Sequence, residues 1–247
     1  MKRVPGAWGV IPARYSSTRL PGKVLCDIAG SPMIEHVWRR VIRARTLEHV
    51  LIATDDERIS AVCTGFGANV SMTSPAHISG TDRVAEATAG SGARIVVNIQ
   101  GDEPLVDPHW IDQLTLALSE NPGTAMATLA SPIRSPRQVT DPGVVKVVLD
   151  SGGHALYFSR SPIPYDRNDT RTTRYQHIGL YAYRAGFLAQ YSRMTPAPSE
   201  RAEGLEQLRA LHHGHRIRVI TVQGESTGID TAADLHEVRA RLEHQDT

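Results

Sequence analysis

Along the first half of the chain, short apolar runs alternate with stretches in which apolar residues recur every three or four positions. Residues 7–11, 50–54 and 95–99 are nearly continuous apolar runs, the pattern of strands buried on both faces of a parallel sheet. Ser31-Pro32 offers a capping residue followed by proline at a first helical position. Met33, Ile34, Val37, Trp38, Val41 and Ile42 then form the stripe of a helix packed on a sheet. Asp107-Pro108 repeats the start signal ahead of Trp110, Ile111, Leu114 and Leu118. The order β-α-β-α-β-α predicts an α/β fold, a Rossmann-like, doubly wound and mainly parallel sheet.

The second half reads as mixed. Strands are expected at 125–130, 144–149, 155–159 and 178–183, with turns at Asp141-Pro142-Gly143 and Ser151-Gly152-Gly153. A helix near 203–212, a strand at 217–222 and a last helix near 232–242 close the chain. No internal repeat or low-complexity linker interrupts it. The expected organisation is one domain over 1–247 with a smaller β-rich region, for acceptor binding and dimerisation, at about 132–200.

Composition narrows the function. With 27 Lys+Arg against 26 Asp+Glu, the formal net charge is +1, which excludes a general nucleic-acid binder or a polybasic membrane-surface protein. No apolar run approaches the roughly 20 residues of a membrane span. The first ten residues lack the long apolar segment of a secretory signal. Cys26 and Cys63 are far apart and carry no motif, as expected of buried small residues in a reducing, cytoplasmic compartment. His212-His213-Gly214-His215 has no cysteine nearby and few carboxylate partners, so it reads as a helix terminus rather than a metal site.

Three segments carry candidate chemistry. The first strand runs into loop 12–23, where Arg14, Arg19 and Lys23 join Ser16, Ser17, Thr18 and Gly22. A cationic, hydroxyl-rich loop beyond the carboxyl end of a strand suits a triphosphate or pyrophosphate. It lacks the glycine spacing of a Walker A loop and of a dinucleotide fingerprint. The second segment is Gln100-Gly101-Asp102-Glu103-Pro104. A carboxylate at the tip of a buried strand is placed either to hold Mg²⁺ beside phosphates or simply to solvate a turn. The third is Asp230, which on position alone reads first as the N-cap of the last helix.

Taken together these segments resemble the CMP-sugar-acid cytidylyltransferases, and within them the 3-deoxy-manno-octulosonate (KDO) cytidylyltransferase family. The resemblance runs in order through loop 12–23, Ser79-Gly80-Thr81-Asp82-Arg83, Gln100 to Pro104, and the central stretch 145–160. It continues through His177-Ile178-Gly179-Leu180-Tyr181, Leu205-Glu206-Gln207-Leu208-Arg209 and Gly228-Ile229-Asp230-Thr231. It implies transfer of CMP from CTP to an acidic acceptor with release of pyrophosphate, in a cytoplasmic homodimer. Arg14, Arg19 and Lys23 would hold the triphosphate, with Pro12, Ala13, Ser79, Gly80, Thr81, Gln100 and Asp102 around the nucleotide. Asp102 and Asp230 would bind Mg²⁺. Arg160, Arg167, His177, Tyr181, Glu206 and Gln207 would meet the acceptor.

The chain departs from that family in a short stretch between Arg167 and His177 and in Tyr165, which stands where tryptophan is usual. Less protein there would suit a compact anion, so a phosphonate such as phosphonoformate is a rival acceptor. A nucleotide-binding regulator without turnover is the rival of another class.

Overall fold

In the computed structural model, which describes residues 1–16, 20–229 and 231–243, the sheet begins with β1 (Ala7–Ala13). A 3₁₀ turn at Lys23–Leu25 and a two-stranded ribbon, β2 (Asp27–Ile28) and β3 (Ser31–Pro32), precede α1 (Met33–Val41). The first half continues through β4 (His49–Thr54), α2 (Glu57–Gly65), β5 (Val70–Met72), α3 (Gly80–Thr88), β6 (Ile95–Asn98) and α4 (Pro108–Glu120). The second half holds β7 (Met126–Pro132), α5 (Pro136–Thr140), β8 (Lys146–Leu149), β9 (Ala155–Ser159) and β10 (Tyr175–Arg184). It ends with α6 (Ala185–Tyr191), α7 (Pro198–Glu203), α8 (Leu208–His212), β11 (Ile217–Thr221) and α9 (Ala232–Glu243).

Among the described residues the main sheet runs in the order β11-β7-β10-β6-β1-β4-β5, and β8 and β9 extend from β10. Pairing is parallel throughout that path except at β10, which is antiparallel to both β6 and β7. The fold is thus α/β with a mostly parallel sheet. Alternation along each strand divides the core. Ile11, Val97, Leu129 and Leu180 pack with α1, α2 and α4 on one face. Val10, Val96, Met126 and Tyr183 pack with α3, α6 and α8 on the other. Burial on both faces explains why the strands read as continuous apolar runs. Cys63 is fully buried in the first layer, which pushes its thiol up to about 12; Cys26 is half-buried.

Several boundaries differ from the sequence reading. Pro32 itself is the N-cap of α1, because both Ser31 and Pro32 are held in the ribbon, paired with Ile28 and Asp27, and the helix begins only at Met33. The helix expected over 203–212 is two helices. Glu200 accepts a hydrogen bond from the Ala197 amide at the start of α7, and Gly204 ends that helix in the left-handed region at φ 62°. Glu206 and Gln207 therefore occupy a turn instead of a helix surface. The long β10 adds three residues before the expected strand and a bulge between Ile178 and Tyr181.

Candidate active site

Beyond the carboxyl ends of β1 and β6 lies a cleft of about 660 Å³. It is lined by Pro12, Ala13, Arg14 and Lys23 and by Ser79, Gly80, Gln100 and Asp102. Eight residues singled out for the nucleotide thus share one cavity, at the place where open α/β sheets bind ligands. The cleft also takes in Tyr15, His77 and Arg83, which sequence reasoning did not select. Arg83 is almost fully buried and spends its guanidinium on Thr73 Oγ1, at 2.5 Å, and on Asp55, at 3.0 Å. His77 is held by the Glu86 carboxylate. The Tyr15 ring stacks under Arg58, whose guanidinium carbon is 3.4 Å from the ring centroid.

Local sequence dictates these positions. Ser79 caps α3 by accepting from the Asp82 amide, so Ser79 and Gly80 sit where a helix start meets the cleft. A Cβ on Gly101 would lie 2.8 Å from the Pro12 carbonyl oxygen, so only glycine lets the β6 loop pass that close to the β1 loop. Lys23 is largely buried, and its ammonium donates to Asp102 Oδ2 at 2.6 Å. Behind Asp102, Glu103 is buried with Oε2 unpartnered. Burial, and secondarily the charge of Asp102, pushes the Glu103 carboxyl up to about 7. The Ile229 amide donates to the Asp102 carbonyl, tying the segment before the last helix to this loop. Arg19 and Asp230 lie outside the described residues.

A second polar region lies on the α3 face of the sheet. His177 and Tyr181 on β10 are neighbours at 5.4 Å between ring centroids, and Phe158 closes on His177 edge-on at 5.1 Å. The Thr128 hydroxyl has one proton and lies 2.7 Å from the Leu180 carbonyl. At 3.0 Å it therefore accepts from His177 Nε2, which assigns the imidazole proton to Nε2. Burial pushes His177 down to about 3, so the ring is neutral. Thr81 donates to Glu206 Oε2 at 3.0 Å. Gln207 is buried with Nε2 unpartnered, as is Asn98 Oδ1 at the end of β6. Asn98 pairs in register with Tyr181 and went unselected, although a lone polar residue in the run Ile95-Val-Val-Asn98-Ile99 marks it. Buried polar atoms without partners are groups that a ligand or ordered water satisfies.

The two remaining acceptor candidates are Arg160 and Arg167. Arg160 donates through Nε to the Glu203 carbonyl and through Nη1 to the Pro142 carbonyl, bracing α7 against the turn before β8. Arg167 is exposed in the segment between β9 and β10. Among the described residues no group of three or more His, Cys, Asp or Glu side chains is arranged to hold a metal. Nor is any helix long and apolar enough to cross a membrane.

Residues 8–217 match the protein family described as Cytidylyltransferase. A 3-deoxy-manno-octulosonate cytidylyltransferase of Solibacter usitatus is 53% identical over 231 residues, covering 93% of this chain and 92% of the relative. Its counterpart from Geobacter sulfurreducens is 51% identical over 244 residues, with 94% and 98% covered. Among solved structures, a CMP:2-keto-3-deoxy-manno-octonic acid synthetase complexed with CTP superposes with a TM-score of 0.94 at 43% identity, covering 97% and 99% of the two chains. A cytidylyltransferase from Leptospira borgpetersenii shares the fold, with a TM-score of 0.66 at 16% identity.

Proposed function

The chain belongs to the cytidylyltransferase family, and from that premise we propose that it transfers CMP from CTP to 3-deoxy-manno-octulosonate with release of pyrophosphate. The observation that carries this reading is a cleft lined by Arg14, Lys23 and Asp102, in which Lys23 donates to Asp102, together with a second polar region around His177, Tyr181 and Glu206. One suits a nucleoside triphosphate; the other suits a polyhydroxy acid.

In the proposed reaction a hydroxyl oxygen of the bound acid attacks the α-phosphorus of CTP and gives up its proton to water. The bond from that phosphorus to the bridging oxygen breaks, and pyrophosphate leaves with its electron pair. No covalent enzyme intermediate forms, so the protein acts by alignment and charge. Arg14 and Lys23 hold the triphosphate, and Arg19 joins them by family resemblance. Gln100, Ser79 and Gly80 meet the nucleoside. The oxygen donor of Asp102 fits Mg²⁺, which takes one or two carboxylates and completes its shell with water and phosphate; Asp230 is the second proposed ligand. When bound, that ion neutralises charge on the triphosphate. Neutral His177, Tyr181, Glu206 and Gln207 supply hydrogen bonds for the acceptor's hydroxyls, and Arg167 is the cation proposed for its carboxylate. Arg160 supports that region by bracing α7.

A homodimer belongs to the same proposal. Leu156 and Tyr157 on β9 and Tyr165 beyond it are exposed apolar side chains on one stretch of chain. Sedimentation equilibrium should give a mass near twice 27.0 kDa; a monomer at micromolar concentration would contradict it.

A panel of acids incubated with CTP and Mg²⁺, with pyrophosphate as the readout, tests the function. Release with KDO supports the reading. Release with phosphonoformate alone assigns the rival acceptor, and release with none returns the chain to nucleotide binding without transfer.

A further inference from the structure

Resting on that proposed function, we infer that Thr81 is a positioning residue. Its hydroxyl sets the Glu206 carboxylate and thereby joins the nucleotide cleft to the acceptor region, instead of contacting CTP.

Three consecutive residues of one motif face different ways. Ser79 and Gly80 line the cleft, whereas Thr81 is not among its lining residues and is only 7% exposed. Its hydroxyl crosses to Glu206, 125 positions away in sequence, at 3.0 Å. Ser79 is the N-cap of α3, and Gly80 and Thr81 stand on the first turn that this cap fixes. One helical turn and one hydrogen bond therefore connect the cleft lining to Glu206.

The main chain of Glu206 is anchored from the other side. The Tyr191 hydroxyl donates to its carbonyl at 2.6 Å, and the Arg209 amide donates to the same carbonyl at 3.0 Å. Arg209 is itself locked to Glu200 in a buried ion pair at 2.5 Å. With the backbone fixed, the bond from Thr81 decides where the carboxylate points. Oε2 is occupied by Thr81, and Oε1 has no protein partner among the described residues, which leaves it for a substrate hydroxyl.

The groups facing Glu206 are Asp82 on α3, Glu200 on α7, Arg209 on α8 and the tyrosines Tyr181, Tyr183 and Tyr191. Burial raises the Glu206 pKa and the bond from Thr81 opposes that rise. Removing the hydroxyl raises it further, so an acid limb set by Glu206 moves to higher pH.

The test compares wild type with Thr81→Val and Thr81→Ser, using KDO, CTP and Mg²⁺ and reading pyrophosphate. Thr81→Val should raise the KM for KDO about tenfold or more, the scale of a hydrogen bond to a charged group. It should leave the KM for CTP within about twofold and move the acid limb of kcat/KM upward. Thr81→Ser should restore all three. Unchanged acceptor KM in a folded Thr81→Val enzyme, a rise in CTP KM instead, or failure of serine to rescue would each overturn the inference while leaving the function intact. A wild-type enzyme inert toward KDO would overturn the function and the inference with it.

Discussion

The Lys23 ammonium sits 2.6 Å from Asp102 Oδ2, joining the first loop to the loop after β6 across 79 positions of sequence. The pair is partly buried, with side-chain exposures of 11% and 30%, so removing either member leaves the other charge poorly compensated. Asp102→Asn should lower turnover on the order of 10²-fold or more, the scale of losing a preorganised electrostatic group. Lys23→Met should lower it comparably, and the double variant should lose much less than the product of the two. Steady-state pyrophosphate release checks this; strictly multiplicative losses would mean that the two residues act independently.

Gly101→Ala places a methyl 2.8 Å from a backbone oxygen that has no rotamer with which to yield. The expected cost is about 1–3 kcal/mol from overpacking, together with a weaker affinity for CTP as the two loops separate. Thermal unfolding and CTP titration measure both effects. An alanine variant with wild-type Tm and affinity would show that the loops are not held at this distance in solution.

Lys146 is fully buried and donates to three backbone carbonyls, those of Asp141, Val144 and Arg160, at 2.9, 2.6 and 2.5 Å. It clasps the turn before β8 to the end of β9. Burial pushes its pKa down, and the carbonyl cage is what the ammonium receives in exchange for water. Lys146→Met keeps the stem and removes all three donors, so stability should fall by about 2 kcal/mol or more. Urea unfolding decides the matter: an unchanged midpoint would contradict a structural role.

The His177 ring has a pKa near 3 in the folded chain against 6.5 for an ordinary histidine, because burial penalises the charged form. The unfolded chain therefore binds more protons as pH falls below about 6.5, and the stability that His177 contributes when neutral is lost progressively from there downward. In His177→Asn that loss is absent. The Tm gap between wild type and variant should narrow in favour of the variant between pH 7 and 4.5. Parallel curves would mean that the ring is solvated and titrates normally.

The nucleotide half was readable because its chemistry is contiguous. Arg14 to Lys23 and Gln100 to Asp102 each follow a strand whose apolar run announces it. The acceptor half was less so, because its decisive contacts are long-range. Nothing local to Ser79-Gly80-Thr81 tells that Ser79 lines the cleft while Thr81 turns to Glu206. Nothing local to Arg160, expected to meet the acceptor, tells that its guanidinium donates to the Glu203 and Pro142 carbonyls. The antiparallel placement of β10 between β6 and β7 was hidden as well, since an apolar strand reads the same in either direction. The break between α7 and α8 did have a signal in Gly204, the residue type that ends a helix in the left-handed region.

³¹P NMR of the enzyme with CTP, Mg²⁺ and KDO tests the transfer most directly. The triphosphate resonances should give way to one phosphodiester signal and to pyrophosphate in equal molar amounts, and neither should appear with Asp102→Asn on the same timescale. Pyrophosphate without the phosphodiester, or a CTP spectrum unchanged by KDO, would contradict the transfer.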